Sequence, residues 1–269
     1  MGIDAQLPEE LLSLLLDPPS ATSRSDTFPE EFQASVRAYL LSWHLIFDSY
    51  KNAAYNVRND YSDHLKSGKY VEPLLDFIFG ALVRDRKPGS IKSEFEPSKI
   101  RSFDMWVSND TEPRASEFEW LLVNIYYLTL EFIPSLAKAW YLNCNSRQMK
   151  LSVETMTQTA FSPLIIEDNL EAVRLWANEQ KVNEDEQELI VKVSQKSREV
   201  FAGYEIDDTM MQIVIRLPEN YPLEGVTVDC INRVAIPHKT WNDWKMFIQG
   251  AITFNVSSTI PHSNCFAYL

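Results

Sequence analysis

The chain has 269 residues, 45% of them hydrophobic and 23% charged. That is a size of one to two domains and a composition far from that of a disordered chain. Lys and Arg number 25 against 38 Asp and Glu, a formal charge of −13, which argues against wrapping nucleic acid over much of the surface and leaves room for a local basic patch.

The opening residues, Met1-Gly2-Ile3-Asp4-Ala5-Gln6, lack the basic region of a secretory signal, and Gln6 stands where a myristoylation motif needs Ser or Thr. A short helix is expected over Leu7-Pro8-Glu9-Glu10-Leu11-Leu12, stopped by Pro18-Pro19. From Glu30 onward Phe32, Val36, Tyr39, Trp43, Ile46 and Tyr50 recur three or four apart, the spacing of one helical face, with Thr27 and Pro29 at its start. Val71, Leu74, Leu75, Ile78 and Leu82 form a second such run. Between Arg84 and Pro113 periodic apolar positions are few, and the stretch reads as a long connection.

A third helix carries Phe118, Leu121, Leu122, Ile125 and Leu128; Pro134 either kinks it or starts a fresh helix through Trp140. The longest apolar stretch, Leu121 to Leu142, is interrupted by Asn124, Glu131, Pro134 and Lys138, which is poor for a membrane span. A further helix is expected from about Asn145 to Ala160, stopping before Ser162-Pro163 because the residue before proline avoids the α region. Successive helices without a metal or cofactor signature indicate stacked solenoid repeats or a bundle.

Near residue 180 the apolar period changes from helical to two. Gln187 to Ser194, Glu199 to Ile206 and Met210 to Leu217 read as three short strands, with Met211, Ile213, Ile215 and Leu217 on one face and Gln212 and Arg216 opposite. A fourth, Val226 to Ile231, follows Asn220-Tyr221-Pro222-Leu223, and Pro237 opens a helix carrying Trp241, Trp244, Ile248 and Ile252. Short links predict an antiparallel meander with helices on one face, so the fold class is α followed by α+β.

Several residues are candidates for chemistry. Cys144, Cys230 and Cys265 are too few and odd in number for a disulfide framework, which fits a reducing compartment, and Cys265 lies one position too early for prenylation. Cys230 alternates with Asp229 and Ile231 inside a strand and reads as a buried structural thiol. His44 with Asp48, and Asp60 with His64, are spaced i, i+4, but two ligands do not make a metal site. Nothing pairs a nucleophile with a base, and 7 glycines offer little for a phosphate-cradling loop. No catalytic and no metal-binding residue is therefore assigned. Arg233, His238 and Lys239 flank the turn into the last helix and read either as part of a solvated loop or as a basic edge able to meet phosphate or an acidic protein face. Trp241 and Trp244 join them as binding candidates: one of the pair can face the sheet while the other lies at its rim, packing against the helical part. Tyr221 and Pro222 are structural turn residues, the proline pre-setting φ and the tyrosine packing beneath. The acidic run Glu184-Asp185-Glu186 reads as a solvated linker between the last helix and the first strand.

The order of three strands, Tyr-Pro, strand and helix resembles the RWD domain, a non-catalytic relative of the ubiquitin-conjugating fold. More closely, Ser197-Arg198-Glu199-Val200, Tyr204-Glu205-Ile206-Asp207-Asp208, Leu217-Pro218-Glu219-Asn220-Tyr221-Pro222-Leu223 and Trp241-Asn242-Asp243-Trp244 resemble the C-terminal region of the listerin family. These are large RING-type E3 ubiquitin ligases of ribosome-associated quality control. Tyr39-Leu40-Leu41-Ser42-Trp43, and Leu128-Thr129-Leu130 with Pro134 and Trp140, are similar to the family's last helical repeats. The resemblance spans roughly residues 7 to 255. It implies HEAT-like repeats over 1–160, an RWD-like domain over 161–255 and a divergent tail over 256–269, with the RING missing.

What it further implies is a positioning role. The family's solenoid embraces a stalled 60S ribosomal subunit, one end beside a nascent-chain-sensing quality-control factor, while its RING brings a ubiquitin-conjugating enzyme to the emerging chain. A RING holds two zinc ions through eight Cys or His ligands. Three cysteines and four histidines, none at C-x-x-C spacing, cannot supply them, so zinc and transferase chemistry are expected of the parent family and not of this chain. The expected compartment is the cytosol, with no membrane or DNA partner. The alternative is a free-standing RWD interaction module with no ribosome role.

Overall fold

A computed structural model describes residues 6–19, 30–83, 96–101, 114–180, 189–206, 209–232 and 237–255. The chain forms two compact units, Met1–Phe161 and Ser162–Leu269.

The first unit is helical. Helices α1 (Glu9–Leu15) and α2 (Glu30–Asn52) are followed by α3 (Tyr55–Ser67) and α4 (Val71–Val83). The stripe of α2 behaves as its spacing predicts: Val36, Tyr39, Trp43, Ile46 and Tyr50 are all buried. Helix α3 was not expected, since its apolar positions are sparse and its inward side includes a charged residue. Arg58 is 2% exposed; its Nε donates to the Ala53 carbonyl at 2.9 Å and its Nη2 to that of Lys51 at 3.2 Å. The guanidinium thus satisfies carbonyls that the end of α2 leaves open. Burial lowers the Arg58 pKa, and Glu131 and Tyr50 oppose that shift. Helix α3 closes at Gly68, where any Cβ would run into the Tyr70 ring, and the next residue, Lys69, is left-handed (φ 54°).

Within the stretch read as a connection lies a short helix, α5 (Pro97–Arg101), with Ile100 buried and its carbonyl accepting from Asn124 Nδ2 at 3.0 Å. The remainder of 84–113 lies outside the described residues. Helix α6 (Arg114–Phe132) has every residue from Leu121 to Leu130 buried, which explains why its apolar run is continuous and not a stripe. Pro134 does not kink this helix. It occupies the first turn of a new one, α7 (Pro134–Asn143), where its missing N–H costs nothing, and the chain bends by 107° at the break. Among the described residues no single helix is long and apolar enough to cross a membrane; this bent pair passes such a test by composition alone. Aromatic rings fill the core. Phe47 stacks on Phe132 at 6.0 Å, Phe79 stacks on Trp140 at 5.3 Å, and Tyr126 meets Phe79 and Phe161 edge-on. Trp140 Nε1 donates to Asp76 at 2.8 Å, joining α7 to α4.

Helix α8 (Arg147–Met156) starts at Ser146, whose Oγ accepts from Met149 N–H. The expected stop before Ser162-Pro163 is corrected. A π turn, Thr157–Phe161, leads directly into α9 (Ser162–Gln180). The wider turn accommodates a proline that an uninterrupted α-helix would not. It is fixed by Thr157, whose Oγ1 lies 2.6 Å from Tyr126 Oη.

The second unit begins with α9 and continues through β1 (Leu189–Ser194), β2 (Glu199–Ile206), β3 (Thr209–Arg216) and β4 (Thr227–Asn232) to α10 (His238–Asn255). The strands form one antiparallel meander in chain order, with a bulge at Gln212/Ile213. Val200, Ile215 and Val228 align across three strands, as do Ala202, Ile213 and Cys230. Helix α9 packs on β1 and α10 on β4. At the centre of the sheet Ile213 and Ile215 are buried on one face, and Val214, between them, is fully buried on the other. The run Glu184-Asp185-Glu186 and the tail 256–269 lie outside the described residues.

Candidate docking surface

Of the residues singled out from sequence, Tyr221 and Pro222 sit within the β3–β4 connection, both buried and joined by a cis peptide bond. Fully buried Ser162, the first residue of α9, donates its hydroxyl to the Tyr221 carbonyl at 2.6 Å. The turn is further closed by Tyr221 N–H to the Pro218 carbonyl and Glu224 N–H to the Asn220 carbonyl. All of this is internal cohesion.

The last helix carries the remaining candidates. Pro237 precedes its first turn, and its carbonyl accepts from Trp241 N–H at 3.0 Å. His238 and Lys239 are exposed in that first turn, whereas Arg233 lies outside the described residues. Trp241 and Ile248, seven apart, are both 8% exposed and form the inward seam. Trp244 is 43% exposed. The two tryptophans therefore divide, one inside the unit and one on its surface. Sequence reasoning missed that Met246 and Phe247 are also exposed, at 73% and 59%. The signal was available in the surplus of apolar residues in Trp-Lys-Met-Phe-Ile: a helix packed along one seam cannot bury all four apolar side chains of such a run.

Polar groups link this helix to the sheet. Arg216 Nε pairs with Glu199 at 2.6 Å, and its Nη1 also reaches Asp229, crossing three strands. Lys245 of α10 lies 3.9 Å from the same Asp229, while Gln249 Nε2 donates to the Val226 carbonyl at 3.4 Å. A hydrogen bond from Ser197, then one from Arg216, holds the Glu199 carboxyl below its ordinary value, and Glu199 raises Arg216 in turn. These groups are exposed, so the network guides register more than it stabilises. A second ion pair, Arg198 with Glu219 at 3.1 Å, ties the β1–β2 turn to the segment before Tyr221. Arg198 adopts a left-handed backbone (φ 56°), a conformation that costs a non-glycine residue about 1 kcal/mol.

Cys230 was expected to be buried. It is half-buried, because β4 is an edge strand, and it pairs with Ile213 across the ladder. His44 Nδ1 lies 3.4 Å from Asp48, which also takes Lys51 at 2.7 Å, making that carboxylate part of a charge cluster on α2. Among the described residues no group of three or more His, Cys, Asp or Glu is placed to hold a metal ion. The arrangement offers a surface, with aromatic and basic side chains on one helix.

Comparison with known proteins bears on the whole chain. The family model described as the LTN1 family HEAT repeat region matches residues 2–174, and one described as ubiquitin conjugating domain-like matches 189–260. The chain belongs to the listerin family. It is 40% identical to the E3 ubiquitin-protein ligase listerin of Neurospora crassa over 93% of its own length and 16% of that protein. It is 27% identical to that of Saccharomyces cerevisiae over 92% and 16%, and 30% identical to that of Drosophila melanogaster over 72% and 10%. The chain thus spans about a sixth or less of the listerin relatives it matches, covering a HEAT region followed by a ubiquitin-conjugating-like domain.

Proposed function

We propose that this chain is a C-terminal positioning segment of a listerin-type E3 ubiquitin ligase. It binds stalled 60S ribosomal subunits in the cytosol and places a RING, carried elsewhere in the longer protein, where it can ubiquitinate nascent chains. The observation that carries this reading is the unbroken order of HEAT region and ubiquitin-conjugating-like domain matched along one listerin-related chain.

The physical contribution is geometric. A helical unit and a sheet unit in one polypeptide raise the effective concentration of a tethered catalytic group near its target without making any new bond. The side chains support a role without chemistry of its own. Cys230 is a ladder residue of β4, opposite Ile213, and among the described residues no group of three or more His, Cys, Asp or Glu is placed as either four-ligand zinc site of a RING would require. Zinc and the ubiquitin-conjugating enzyme would therefore engage the RING of the longer ligase, and the nascent-chain-sensing factor would meet the solenoid. On the second unit, Lys239, Trp244, Met246 and Phe247 of α10 are the exposed contact residues this reading favours, aromatic side chains and methionine being enriched at docking surfaces.

Sedimentation of the purified chain with 60S subunits bearing peptidyl-tRNA tests the proposal. Co-migration is expected, weakened at least tenfold when Trp244 and Phe247 are both changed to Ala. Capture of protein partners without any ribosomal component would overturn it in favour of a free-standing interaction module.

A further inference from the structure

We draw no further inference here: the strongest candidate, the outward apolar face of the last helix bearing Trp244, Met246 and Phe247, belongs to the docking surface already described, and nothing in the structure shows what covers it.

Discussion

Replacing Arg58 with Ala should destabilise the helical unit far more than a surface arginine would. The side chain is 2% exposed and donates at least two charge-assisted hydrogen bonds, to the carbonyls of Ala53 and Lys51. Such bonds contribute about 1.5–3 kcal/mol each, and their loss leaves both carbonyls under-satisfied where α2 turns into α3. The void left by the long side chain adds to this, so the total cost should be about 3–5 kcal/mol. Set against a domain stability of about 5–15 kcal/mol, that is a large fraction. Arg58→Lys should recover only part of it, because a single ammonium cannot span two carbonyls as the planar fork does. Urea unfolding followed by tryptophan fluorescence measures the change. Hydrogen exchange should show the loss of protection concentrated at the end of α2 and in α3. A shift below about 1 kcal/mol for Arg58→Ala would refute the reasoning, since it would mean the buried fork contributes no more than an exposed ion pair.

Other expectations follow from the same geometry. Tyr126→Phe removes the hydroxyl that Thr157 contacts at 2.6 Å within a buried site, and should cost about 1–3 kcal/mol in denaturant unfolding; restoration by pairing it with Thr157→Val would confirm the unsatisfied hydroxyl as the cause. Arg198→Gly relieves a left-handed backbone at φ 56° while losing an exposed ion pair to Glu219. Its melting temperature should stay within a few degrees of the parent, whereas Arg198→Val should lower it clearly. Burial pushes Tyr39 up to about 12 and raises Tyr50 and Tyr126 further. A raised folded value means the unfolded chain gives up these protons first, so their contribution is complete below pH 10 and is lost as pH climbs through the folded values. Stability should fall by about 1.4 kcal/mol per pH unit for each such tyrosine above pH 10, with the tyrosinate absorbance of these three buried residues appearing only on unfolding. A stability flat between pH 10 and 12 would contradict this.

Much of the fold is legible in the sequence where one physical signal dominates. The four strands emerge from alternation in segments such as Met-Gln-Ile-Val-Ile-Arg, and their meander order follows from links too short for any crossover. The stripe of α2 is equally plain. What escaped notice had mixed signals. Helix α3 buries an arginine in place of an apolar residue, so its inward side does not look inward. The π turn at Thr157–Phe161 carries the helix past Pro163, where proline chemistry alone indicates a stop. Val214 is buried on the face that Arg216 shares, between flanking polar residues, Gln212 and Arg216, that made this face look solvated.

The candidate surface was half legible. Trp241 and Trp244 stand out by type, and their division between interior and surface follows from three-residue spacing on a helix packed along a 241/248 seam. Met246 and Phe247 lie off the 241, 244, 248 and 252 spacing by which this helix is recognised, and so did not stand out. The resemblance of ordered short motifs, and not any one residue, indicated the listerin family, and that order is what the matches to residues 2–174 and 189–260 reproduce.

The most direct test is ubiquitination of stalled nascent chains by a longer listerin polypeptide in which the segment matching residues 189–255 is deleted while its RING is kept. The account predicts intact ubiquitin discharge from the conjugating enzyme in solution, together with loss of 60S co-sedimentation and of nascent-chain modification. Unchanged ribosome association and unchanged nascent-chain ubiquitination would contradict it.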